Sequence, residues 1–177
     1  DVYKRQAQSI PNITYAEGFN TIDDTVDEKL QLQAVQAAQD AEVAVIFAGL
    51  PSAFEAEGSD RETLAIPENQ NRLIRAVCGV QPNTVVVFHA GSPVVMPWRD
   101  DTAALLYMYL GGQSVGEAAV DLLFGDVNPS GRLAETFPLR LEDTPCWLDF
   151  PGVDDEVQYS EGVYIGYRWY DKRAIPV

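Results

Sequence analysis

The stretch of this chain best equipped for chemistry is an acidic loop, Gly49 to Ile66 (GLPSAFEAEGSDRETLAI), which sets Glu55, Glu57, Asp60 and Glu62 against one base, Arg61. A hydrophobic run, Val43 to Ala48, leads into it, and a helix with a proline start, Pro67 to Val77, leads out. Strand-to-helix connections in α/β units usually take about 2–6 residues, and this one is about three times longer. A loop of that length without a pattern of its own is usually functional or disordered. A carboxylic acid presented there could protonate a leaving oxygen and then, as the carboxylate, activate water. The bland alternative for such a cluster is a solvated surface, and the count of charges does not separate the two. The order of the residues says more.

A second stretch has the spelling of a nucleophile. Gly112-Gln113-Ser114-Val115-Gly116 matches G-x-S-x-G, the elbow of serine hydrolases, and lies between an expected strand and an expected helix, as that motif requires. That chemistry runs serine, acid, histidine along the chain. The one histidine here, His89, precedes Ser114. Ser114 followed three residues later by Glu117 is also a capping box, which accounts for the serine by roughly 1 kcal/mol of helix stability. A serine esterase using Ser114 is therefore the lesser reading. His89 ends a strand, where a hydrogen-bonded structural role is the more ordinary one. Tyr159, Tyr164, Tyr167, Trp169 and Tyr170 could stack on a sugar, but aromatic packing explains such residues more often.

These loops need a scaffold. Ile13 to Glu17 alternates and is β-branched, as in a short strand. Lys29 to Ala41 has apolar residues at helical spacing behind Asp27 and Glu28, acids suited to a helix start. Val43 to Ala48, Thr84 to Phe88 and Ala103 to Leu110 are unbroken apolar runs, which suit strands covered on both faces. Pro67 to Val77, stopped by Gly79, and Val115 to Phe124, stopped by Gly125, are the helices between and after them. Leu133 to Phe137 reads as an edge strand, and Tyr159 to Tyr170 as mostly extended. Strand and helix in alternation predict an α/β fold, a mostly parallel sheet with helices on both faces, followed by an irregular C-terminal extension. Such sheets bind ligands beyond the carboxyl ends of their strands. The Glu57 loop, His89 to Ser92 and Gly111 to Gln113 would all leave from that edge.

Composition narrows the partners. With 177 residues and 46% hydrophobic content the chain can bury a core. A net charge of −15 argues against nucleic acid and against anionic membranes. Two cysteines, Cys78 and Cys146, without a CxxC give neither a disulfide framework nor a zinc pattern, and Cys78 reads as a small core residue.

Glu57-Gly58-Ser59-Asp60-Arg61 resembles the E-G-x-D-R loop of the glycoside hydrolase family 3 β-glucosidases. Four further stretches are similar to that family in the same order: Asn83 to Val87 with Gly91-Ser92-Pro93-Val94 and Pro97-Trp98; Gly111-Gly112-Gln113 with Gly116; Gly125 to Leu133 (GDVNPSGRL); and Tyr159, Glu161-Gly162, Gly166-Tyr167-Arg168. Together they span about residues 12–173. The resemblance implies the α/β sandwich domain of a retaining, exo-acting β-glucosidase that uses neither cofactor nor metal. Glu57 aligns with the general acid/base, and Glu55, two residues away, is its competitor. Ser59 stands where the family usually has an aromatic residue. Asp60 and Arg61 are expected to hold the loop in shape.

The family's nucleophile is an aspartate in an S-D-W motif on an N-terminal barrel, and that motif is not in this sequence. The implied partners are thus a β-glucoside or short β-linked oligosaccharide and a barrel of the same polypeptide, without which the piece is expected to be inactive. A non-catalytic carbohydrate-binding module is the remaining alternative. The implied organisation is a sandwich over 7–138 and an irregular extension of it over 139–177, cut before a following domain. Residues 1–6, DVYKRQ, read as translated library adapter, not native chain.

Overall fold

The computed structural model describes residues 12–152 and 154–177. The adapter reading of residues 1–6 lies outside the described residues. The elements follow in the order α1 (Glu28–Gln39), β1 (Ala44–Gly49), α2 (Glu68–Cys78), β2 (Thr84–His89), β3 (Ala104–Tyr107), α3 (Val115–Phe124) and α4 (Tyr167–Arg173). Short 3₁₀ turns occupy Arg99–Asp101 and Leu141–Asp143.

The three strands form one parallel sheet in the order β1-β2-β3, with Val45 opposite Val85 and Val85 opposite Ala104. Consecutive strand residues point to opposite faces. In β2, the successive residues Val86, Val87 and Phe88 are all fully buried, so both faces of the sheet are covered at its centre. This is the α/β fold the apolar runs predict. Phe88 stacks on Tyr107 at 5.6 Å and lies 6.4 Å from Trp98, whose indole donates to the Asn71 side chain at 3.0 Å.

The helix ends show how local chemistry sets the boundaries. Asp27 has extended backbone and its carboxylate accepts from the amides of Lys29 at 2.9 Å and Leu30 at 3.1 Å, which starts α1. α2 begins behind Pro67, which has no side-chain cap to offer. Its cap comes from the loop before α1: Asp24 accepts from the Asn69 amide at 2.7 Å, while the Asn69 side chain donates to the carbonyls of Asn20 and Asp23.

Several expectations are corrected. Ile13 to Glu17 is not a strand; alternation makes a strand only where a sheet offers a partner. β3 stops at Tyr107, not Leu110, because Tyr109 adopts a left-handed φ of 51° that no ladder accommodates. The capping box does not form: Ser114 has ψ 17°, far from the extended geometry of Asp27, and its side chain makes no cap bond. Leu133 to Phe137 is irregular. The aromatic run expected to be extended turns at Gly166 (φ 57°) and enters α4, where Arg173 lies 4.4 Å over the ring of Trp169, one helical turn away. Cys78 is half-buried, and burial pushes its thiol above the ordinary value.

The chain falls into two compact units. The first runs to Asp60 and includes Ile66–Ser92 and Met96–Ser130, hence the whole sheet. The second gathers Arg61–Ala65, Pro93–Val95 and Gly131–Val177. In the second unit Val95 donates to the Leu64 carbonyl at 2.8 Å, Arg140 forks onto Asp143, and the Trp169 indole donates to the Asp143 carbonyl at 3.0 Å.

Candidate active site

The path to Glu57 starts at the last residue of β1. Parallel pairing runs through Gly49 opposite His89 and on to Leu50, whose amide donates to the His89 carbonyl at 3.0 Å. A Cβ on Gly49 would stand 2.4 Å from that same carbonyl oxygen, so only glycine lets the two strand ends approach this closely. Gln70, buried in the first turn of α2, holds Gly49 by both backbone groups: the Gly49 amide donates to its Oε1 at 3.0 Å, and its Nε2 donates to the Gly49 carbonyl at 2.8 Å.

From that clamp the chain turns at Pro51, whose carbonyl accepts from Phe54 at 2.8 Å and Glu55 at 3.2 Å. The half-buried Glu55 carboxylate then accepts from the Gly91 amide, at 3.0 Å to Oε1 and 2.9 Å to Oε2, and from the Ser92 hydroxyl at 3.2 Å. Next comes a tight turn. Ala56 bridges Ser59 in antiparallel fashion, and Gly58, at φ 82°, takes the left-handed position a type II turn needs at its third residue. Glu57 is the exposed residue at the tip, and no hydrogen bond joins its carboxyl to another described residue.

The remaining acids and the base of the loop divide differently. Asp60 is exposed. Arg61, in the second unit, donates to the carbonyls of Thr63 at 3.0 Å and Pro93 at 3.4 Å, which suits a residue that shapes backbone. Of the loop residues predicted from sequence, Glu55 and Glu57 therefore differ sharply: one is committed to backbone, the other points into solvent.

The rival elements fare less well. Ser114 is exposed, with φ −95° and ψ 17°, and lacks the strain of a nucleophile elbow. Burial holds the His89 imidazole below its ordinary value, partly opposed by a hydrogen bond to the Tyr109 backbone. Of the aromatics, Tyr170 is buried as packing predicts, whereas Tyr159 is 82% and Tyr167 60% exposed. Among the described residues, no group of three or more His, Cys, Asp or Glu side chains could hold a metal, and no helix is long and apolar enough to cross a membrane.

Sequence reasoning gave no role to Gln70 or to Tyr107, whose hydroxyl donates to the Ser92 carbonyl at 2.7 Å. Asn69, Gln70 and Asn71, in the first turn of α2, are all buried. A run of three amides where a helix ought to bury an apolar stripe was the available signal.

Glu57 thus stands on a turn beyond the carboxyl end of β1, at the edge where α/β sheets bind ligands. The profile described as the Glycosyl hydrolase family 3 C-terminal domain matches residues 3–167, and the chain belongs to that family. It is 52% identical over 178 residues to the thermostable beta-glucosidase B of Acetivibrio thermocellus, covering 99% of this chain and 24% of that protein. It is 43% identical over 158 residues to an exo-alpha-(1->6)-L-arabinopyranosidase of Bifidobacterium longum, covering 89% of this chain and 21% of that one. The crystal structure of the GH3 beta-glucosidase of Bifidobacterium adolescentis superposes with a TM-score of 0.91 at 41% identity, covering 97% of this chain and 26% of that one. The chain thus spans about a fifth to a quarter of the length of these relatives.

Proposed function

We propose that this chain is the acid/base-bearing α/β domain of a retaining, exo-acting β-glucosidase, and that Glu57 is its general acid/base. The observation that carries the reading is the contrast within the loop: Glu57 stands unengaged at the tip of the turn built by Glu57-Gly58, while its nearest competitor, Glu55, is occupied by Gly91 and Ser92. The position at the strand-end edge of the sheet, where α/β folds bind ligands, supports it further.

Retaining hydrolysis needs two carboxyl groups about 5–5.5 Å apart, one as nucleophile and one as acid/base. Glu57 would protonate the glycosidic oxygen as the bond breaks and then, as carboxylate, take a proton from the water that releases the sugar from the enzyme. The nucleophile is proposed to be an aspartate on an N-terminal barrel of the same polypeptide, so that the chain alone turns over no substrate. Closure of the barrel over Glu57 would exclude bulk water from around its carboxyl.

The test replaces the aligned segment of the Acetivibrio thermocellus enzyme with this chain. In that chimera, Glu57→Ala is expected to cost about 10²–10⁴-fold in kcat on glucosides with poor leaving groups. On aryl glucosides with good leaving groups, where release of the sugar from the enzyme limits turnover, azide should restore part of the rate, as a glucosyl azide of retained configuration. Unchanged kinetics would remove Glu57 from the mechanism. The arabinopyranosidase relative leaves the sugar open, and rates on aryl β-D-glucoside and aryl α-L-arabinopyranoside in the same chimera decide between them.

A further inference from the structure

The acid at the tip of the loop has no partner that fixes it among the described residues, yet a proton donor must be held within a fraction of an ångström of its productive place. The fixing has to come from the backbone on either side. On the leg before Glu57, one side chain reaches out of the loop and takes hold of another strand end.

We propose that Glu55 is a positioning residue: its carboxylate latches the turn bearing Glu57 to the backbone that follows β2. The inference rests on the reading of Glu57 as acid/base. Three features of the geometry point to it. The Gly91 amide and the Ser92 hydroxyl both donate to one carboxylate, so the latch is charge-assisted at more than one point. Gly91 is shaped to receive it: a Cβ there would lie 3.0 Å from Glu55 Oε1 and 2.9 Å from Leu110 Cδ1. The receiving segment is itself tied down, because Tyr107 stacks on buried Phe88 and donates to the Ser92 carbonyl. A connected path therefore runs from the core of the sheet through Tyr107, Ser92 and Glu55 to the residue next to the turn. A glutamine at position 55 keeps the length and one acceptor but loses the charge; an alanine loses the latch.

Two measurements test this separately from the assignment of Glu57. On the 177-residue chain itself, Glu55→Ala should speed hydrogen exchange of the Gly91 amide by about tenfold or more, as expected when a charge-assisted hydrogen bond is lost, with the β2 amides unchanged. An unchanged Gly91 rate overturns the latch. In the chimera, Glu55→Gln should lower kcat by about 10-fold and Glu55→Ala by about 100-fold, the order a displacement near 1 Å produces. KM should move little, and the pH–rate profile should keep both limbs because the acid/base residue is still present. Azide should not restore either variant. Ser92→Ala, which removes one contact and leaves Glu55 in place, should show a smaller loss of the same kind. Wild-type kcat in the Glu55 variants overturns the positioning role while leaving Glu57 as acid/base. Azide rescue of Glu55→Ala, with Glu57→Ala fully active, would instead make Glu55 the acid/base and defeat both.

Discussion

Two loops leave the carboxyl edge of this sheet with a hydrolase motif in each, and they are built differently. The loop after β1 is gripped at its root by Gln70 and again by Glu55 before it reaches its tip. The loop after β3 turns at Tyr109 and runs through Leu110, 73% exposed, and the exposed glycines 111 and 112 to a serine that caps nothing. Both motifs are complete as strings of letters. Only the first sits in a framework that could hold a reacting group still. A catalytic motif becomes chemistry when the neighbouring residues spend their own hydrogen bonds on its placement, and that expenditure can be counted.

The widest gap between the loops should appear in activity. In the chimera Glu57→Ala should lose about 10²–10⁴-fold on poor leaving groups, whereas Ser114→Ala should keep its rate. A large loss from Ser114→Ala with little from Glu57→Ala would invert the comparison. Next in size is the grip at the root. Gln70→Ala would strand the Gly49 amide and carbonyl, at a cost of about 1–3 kcal/mol for a group left unsatisfied. Urea unfolding of the chain should show a lower midpoint with an unchanged slope. A midpoint equal to wild type would mean water replaces the clamp. Smaller again is the contrast between the two helix starts. Asp27→Ala should cost about 0.5–2 kcal/mol, since its carboxylate accepts two amides, while Ser114→Ala should stay within about 0.5 kcal/mol. Equal effects would show that the serine caps in solution.

What could be read from the chain beforehand follows the same division. Apolar runs such as Thr84 to Phe88 announce buried parallel strands because burial on both faces leaves no room for polar residues. Asp27 and Gly125 announce helix ends because the capping chemistry is local. The resemblance to an E-G-x-D-R loop singles out Glu57, but nothing in those letters gives the tight turn between Ala56 and Ser59 that carries it. Contacts between distant residues stayed hidden. Nothing near Gln70 in sequence says that its amide will meet Gly49, 21 residues earlier, or that Asp24 will cap a helix 45 residues on. The misreadings have the same origin. Ile13 to Glu17 has the residues of a strand and lacks a partner, and Tyr109 ends β3 through a backbone angle that tyrosine rarely adopts.

The smallest effect concerns His89, whose carbonyl receives the Leu50 amide and whose ring is half-buried at the end of β2. Burial lowers its folded pKa below the ordinary 6.5, so the native state favours the neutral ring. The unfolded chain then binds the proton more readily, and stability rises with pH wherever the two states differ in protonation. The contribution is fully present above about 6.5 and is lost as pH falls from there through the folded value. As the chain has a single histidine, His89→Gln should flatten the stability profile just below that pH, and an identical slope in mutant and wild type would show the ring to be solvated.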